Sequence, residues 1–170
     1  MNKKMIVYTL GRMLMLEGIM LGLPFMVGLI YQEKEVALIF GEVALVLLGI
    51  GYLLSYKRPL KTKIHAREGF LIVALAWTVL SLFGALPFYL SREIPSYIDA
   101  FFETVSGFTT TGSSILTNIE GMSHAGLFWR SFSHWVGGMG ILVFVVAILP
   151  DSYGSSLHIL RAEIPGPIVG

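Results

Sequence analysis

The 170-residue chain contains no cysteine. That excludes a disulfide framework, a thiolate metal site and a cysteine nucleophile. Charge is also scarce: 14% of residues are Asp, Glu, Lys or Arg, against 55% that are hydrophobic. A soluble domain of this length would need more charge to cover its surface. The formal net charge of +1 and the lack of a basic arm give no footprint for nucleic acid. There is no low-complexity tract, nucleophile elbow, phosphate loop or paired-carboxylate site.

What is abundant is long apolar sequence. Segments 5–31, 36–56, 69–90 and 125–149 each reach the length needed to cross a hydrocarbon core of ~30 Å at ~1.5 Å per residue. These predict an all-α integral membrane protein. The first run is too long for the apolar core of a cleaved leader, and no small-x-small site follows it, so it reads as a span. Pro24 is expected to kink it. Residues 31–36 form a polar turn. Residues 57–68 form the main basic loop, with Lys57, Arg58, Lys61, Lys63, Arg67 and His65. Short Lys/Arg-rich loops stay on the cytoplasmic side, which places this loop, the N-terminus and the 151–170 tail inside the cell. Pro95 opens a helix after the polar link 91–95, and Pro150 closes the last span.

Between the last two spans lies the stretch YIDAFFETVSGF (97–108) followed by TTTGSS (109–114). Ile98, Phe101, Phe102 and Val105 share one helical face, and Asp99 sits in the first turn, where the helix dipole favours it. A helix of this length is about 18 Å long, too short to cross the core. Its ends must connect to the same side, which predicts a re-entrant helix and a non-helical return over 109–118. Irregular backbone at membrane depth persists where it is packed in protein or lines a cavity. Gly112 can adopt angles closed to other residues, and the hydroxyl side chains can turn away while carbonyls converge. Such carbonyls replace the hydration shell of a monovalent cation. By composition alone TTTGSS is a surface turn. The order of long span, short helix, TTTGSS, long span favours a pore.

The strings REGFLIV (67–73), GALPF (84–88), DAFFETVSGFTTTG (99–112), WVGGMGI (135–141), VAILP (146–150) and RAEIPGP (161–167) occur in an order that resembles the Trk/Ktr family of potassium-uptake proteins, in particular its TrkH-type membrane subunits. The resemblance implies two leading transmembrane helices (1–56) and one helix–pore helix–filter loop–helix repeat (69–150, with elements 69–90, 97–108, 109–118 and 125–149). It implies that Thr110, Thr111, Gly112 and Ser113 offer backbone carbonyls to K⁺, which is the transported ion and not a cofactor. One loop does not distinguish K⁺ from Na⁺. Family members carry four repeats around one pore, so a longer chain is implied. So too are a dimer of the full-length chain, a cytosolic nucleotide-binding regulatory subunit and a site in the cell membrane, in contact with lipid. A different class of reading is a non-conducting scaffold in which the loop is a packed turn. An intramembrane enzyme using His124 or His134 is a distant third.

Other residues carry weaker signals. Arg12 lies where it can snorkel, while Glu17 and Glu42 are intramembrane carboxyls without an assigned role. Glu103 either adds negative field to the loop or braces it, and bracing is favoured because a free buried carboxylate is costly. Gly137 and Gly138 are expected to support the filter through close packing, with a flexible point in the helix as the other reading. Arg130 with His134 and Glu120 with His124 have one-turn spacing but no third ligand, so hydrogen bonding is preferred over metal. Trp77, Trp129, Trp135 and Tyr97 read as packing or interfacial anchors. Gly18 and Gly22 form a weak GxxxG.

Overall fold

A computed structural model describes residues 3–57 and 66–148. Most of the basic loop, the whole 151–170 tail and the end of the last expected span lie outside the described residues. Among the described residues six helices follow one another: α1 (Lys3–Ile30), α2 (Lys34–Ser55), α3 (Ala66–Gly84), α4 (Leu86–Leu90), α5 (Tyr97–Phe108) and α6 (His124–Ile148). No strand occurs among the described residues. By length and composition α1, α2 and the run Gly69–Leu90 could each cross a membrane. Met1–Gly138 form one compact unit and Met139–Gly170 a second; the site lies in the first.

The leading pair α1 and α2 is an antiparallel hairpin that meets through small residues. A Cβ on Gly11 would press on Leu54 and the Gly51 carbonyl, and one on Gly18 would press on the Ala44 carbonyl and Leu48. A Cβ on Gly22 would meet nothing within 4 Å, so the GxxxG spacing is not the contact. The stripe Gly11, Leu14, Gly18 and Leu21 is buried, because 3.6-residue periodicity brings these positions to one face. Pro24 lies within α1, which continues without a break to Ile30. Arg12 is exposed, as snorkelling requires.

Three turns end in the same way. Gln32, Arg92 and Thr110 have φ of 60°, 60° and 56°. At two of them the paired bonds of a Schellman cap are present. Glu33 N–H donates to Gly28 O and Gln32 N–H to Leu29 O; Thr111 N–H donates to Ser106 O and Thr110 N–H to Gly107 O. That left-handed position is usually glycine, so each carries some local strain.

The sequence reads 69–90 as one span, and the run Gly69–Leu90 is long and apolar enough to be one, with a short break in its hydrogen-bond ladder at Ala85. α3 stops at Gly84, and α4 starts after Ala85 with Pro87 near its N-terminus. Pro87 has no N–H to continue the ladder. The freed backbone is secured from outside: Trp129 Nε1 donates to Gly84 O at 2.9 Å and the Tyr97 hydroxyl to Leu82 O at 2.7 Å. Trp129 is fully buried and meets Phe108 edge to face, centroids 6.1 Å apart. Trp135, in contrast, is 61% exposed.

Two acidic side chains cap α6 from distant turns. Glu33 accepts from the His124 and Ala125 N–H groups at 2.9 and 3.2 Å and pairs with the His124 ring. Tyr31 stacks on that ring at 3.8 Å. Glu93 accepts from Ser123 N–H at 2.6 Å. Burial pushes the Glu33 carboxyl up, but the bonds from His124 and Ala125 outweigh it and hold it below its usual range. A lowered carboxyl contributes stability that is present above its unfolded pKa and fades as pH falls through the folded value. Glu33→Gln is therefore expected to lower unfolding stability at neutral pH by about 1 kcal/mol, the worth of a cap. Thermal melts of both proteins across the acid range should show that gap closing as pH falls below the usual carboxylate range.

Candidate functional site: the braced loop after α5

α5 begins at Ser96, whose hydroxyl accepts from Asp99 N–H at 3.4 Å, so serine is the cap and Pro95 only precedes it. One face of α5 is buried, including Ala100, Glu103, Thr104, Gly107 and Phe108. The chain then leaves the helix through Thr109 and turns at Thr110. Gly112, at φ 76°, turns it again. Residues 109–115 are exposed within the described chain.

The N–H groups and the carbonyls of this loop have different fates. Thr110 and Thr111 N–H are tied back to Gly107 and Ser106 carbonyls at 2.9 Å, and Gly112 N–H makes a longer contact of 3.5 Å to Ser106 O. The Thr109 carbonyl takes the Thr110 hydroxyl and the Ser113 carbonyl takes the Ser106 hydroxyl at 2.6 Å. The carbonyls of Thr110, Thr111 and Gly112 accept no hydrogen bond among the described residues. Three successive acceptors with unfilled lone pairs, on backbone whose donors are already spent, can ligate a cation and not an anion. Ser113 sits at the edge of this run, one of its carbonyl lone pairs already engaged by Ser106.

Behind the loop, Glu103 is 1% exposed. Its carboxylate accepts from the Ser114 hydroxyl at 3.1 and 3.0 Å, from Ile115 N–H at 3.1 Å and from Arg130 Nε at 2.5 Å. These contacts tie the far end of the loop to α5 and α6. Glu103 is therefore placed as a brace whose charge is neutralised by Arg130. His134 Nδ1 lies 2.8 Å from the Arg130 carbonyl, and Ser133 donates to the same carbonyl. No cluster that could hold a metal ion occurs among the described residues. His124 faces Glu33, not Glu120.

α6 reaches the loop through missing side chains. A Cβ on Gly137 would collide with the Phe108 carbonyl, and one on Gly107 would collide with the Ser133 hydroxyl. Gly138 differs: its nearest neighbour would be Thr110 Cγ2 at 3.9 Å, an ordinary contact. Ser106 and Ser114, which the sequence reading placed in the hydroxyl-rich stretch without a role of their own, are central here. The available signal was their hydroxyl chemistry next to a glycine turn, which composition alone does not separate from a surface loop. The Glu33 cap had no signal, because its partner is 91 residues away.

The family model for TrkH, cation transport protein, matches residues 38–170. The chain belongs to the TrkH family. It is 46% identical over 148 residues to the Trk system potassium uptake protein TrkH of Salmonella typhimurium, and 45% identical over 148 residues to that of Escherichia coli K12. Each match covers 86% of this chain and 30% of the relative. Among solved structures it is similar to the potassium transporter TrkH from Vibrio parahaemolyticus, with a TM-score of 0.82 and 35% identity over 95% of this chain and 36% of that one. This TrkH-family chain thus spans about a third of the length of the relatives it matches. With its apolar helices, the family places it as a multi-pass membrane protein.

Proposed function

We propose that the chain supplies one filter loop of a potassium-uptake pore, with the carbonyls of Thr110, Thr111, Gly112 and Ser113 replacing water around K⁺. The observation that carries this reading is the run of unpaired carbonyls at Thr110, Thr111 and Gly112, on residues whose own N–H groups are tied back to α5. Transport is passive movement down the electrochemical gradient through a pore completed by further repeats of a longer chain. The relatives named above are potassium transporters, which supports K⁺ as the ion. The basic loop and the Lys3–Lys4 pair support a cytoplasmic N-terminus and tail. A dimer of full-length chains and a cytosolic nucleotide-binding regulatory subunit are the partners the family resemblance adds.

The test is Rb⁺ uptake into liposomes by the full-length protein carrying Gly112→Val. A Cβ at Gly112 meets nothing within 4 Å among the described residues, and the residue's φ of 76° is strained for any side chain. A β-branched residue at positive φ costs about 1–2 kcal/mol, enough for about a tenfold fall in uptake as the loop relaxes. Unchanged uptake by an inserted, folded variant would make the loop a packed turn of a scaffold.

A further inference from the structure

Glu17 lies midway along α1 and is 2% exposed. Neither carboxyl oxygen has a hydrogen-bond partner among the described residues. It occupies the niche left by the missing side chain of Gly84: a Cβ there would lie 2.9 Å from Glu17 Oε1, 3.0 Å from Thr104 Cγ2 and 3.3 Å from Phe108 Cε2. The carboxyl thus lies beside the α3–α4 break and the back of α5, whose last residue, Phe108, leads directly into the filter loop. No neighbour offers a compensating charge. One helical turn away on α1, Leu14, Met20 and Leu21 are apolar, and Ala44 and Leu48 of α2 lie against the adjacent Gly18. On α3 the nearby polar residue is the buried Ser81. On α5 and α6, Glu103 and Arg130 neutralise each other. The other charged residues of the leading helices, Lys3, Lys4 and Arg12 on α1 and Lys34, Glu35 and Glu42 on α2, are exposed. An ionised carboxylate so placed would be costly, by far more than a neutral acid.

We propose that Glu17 is an intramembrane proton site: a carboxylic acid that holds its proton at neutral pH and whose ionisation forces apart the contact between Gly84, Thr104 and Phe108. Deprotonation demands water or a cation beside the carboxylate, and on its Gly84 side even a Cβ would press on Glu17 Oε1, Thr104 and Phe108. Proton loss therefore loosens the helix that ends in the filter loop. This goes beyond the conduction reading: the infrared test of the proton site stands without that reading, and only the uptake measurement rests on it.

The experiment is infrared spectroscopy of the full-length protein in lipid, wild type against Glu17→Gln, with Glu42→Gln as a control. The expected result is a carbonyl stretching band of an un-ionised carboxylic acid at neutral pH. It should shift in D₂O, survive Glu42→Gln, vanish in Glu17→Gln and fade on alkaline titration. Over the same alkaline range Rb⁺ uptake should fall in wild type and stay flat in Glu17→Gln, a difference that a purely structural glutamate would not produce. A band that persists in Glu17→Gln, or no protonated band at neutral pH, overturns the proposal. If Glu17→Gln does not fold, selective ¹³C labelling of glutamate carboxyls in Glu42→Gln decides: a shifted protonated band supports the site, and its absence overturns it.

Discussion

Glu103→Ala is expected to abolish Rb⁺ uptake by the full-length protein and to lower its unfolding stability by about 3 kcal/mol, the cost of stranding one partner of a buried ion pair. Arg130 is left without its acceptor at 17% side-chain exposure. Ser114 and Ile115 lose theirs at the same time, so the loop is released at the end where the Glu103 brace held it. The arrangement also predicts graded outcomes. Glu103→Gln keeps one acceptor oxygen for Ser114 or Ile115 but sets an amide near the Arg130 guanidinium, so it should fall between wild type and alanine. Adding Arg130→Met to Glu103→Gln removes the stranded cation and should recover part of the stability. Thermal unfolding in lipid measures the first effect and proteoliposome flux the second. A Glu103→Ala protein that conducts normally would mean that the loop keeps its shape without the carboxylate.

Gly137→Val is the second large effect. Its Cβ would run into the Phe108 carbonyl, which is backbone at the end of α5 and cannot rotate aside. Forcing atoms into such a contact costs about 3 kcal/mol. The alternative is to push α6 away from α5, which would disturb both the Glu103–Arg130 pair and the Gly107–Ser133 contact. Uptake should be lost together with stability. Gly138→Ala is the matched control. Its new methyl group finds ordinary contact distance to Thr110, and alanine is the better helix former by about 1 kcal/mol, so this variant should keep its uptake and melt no lower than wild type. Two adjacent glycines that look equivalent in WVGGMGI are thereby separated by the measurement.

The class of the fold was legible because hydrocarbon thickness and the 3.6-residue period act on local sequence. The long apolar runs and the Ile98–Phe101–Phe102–Val105 face need no distant partner to be seen. The break at Gly84 was not read, because Gly and Pro are common in membrane helices and only the Trp129 bond to the Gly84 carbonyl shows that the ladder is interrupted and secured there. The candidate loop stood out by composition and order. Its bracing did not: Ser106 gives its hydroxyl to Ser113 and Ser114 gives its hydroxyl to Glu103, pairings that depend on how the chain turns at Thr110 and Gly112. Glu17 was visible as an intramembrane acid, but its isolation in the Gly84 niche is a tertiary fact. Gly137 and Gly138 share every local property, and only the position of Phe108 tells them apart.

The bonds that shape the loop span short stretches of chain: 7 residues from Ser106 to Ser113, 11 from Glu103 to Ser114 and 27 from Glu103 to Arg130. Closing loops of this size costs little chain entropy, and contacts of low sequence separation form early. The loop can therefore set as soon as α5 and α6 meet, during synthesis and ahead of any segment that follows. Later portions of a growing protein would then assemble around a finished part, and errors in their docking would leave this part's geometry intact.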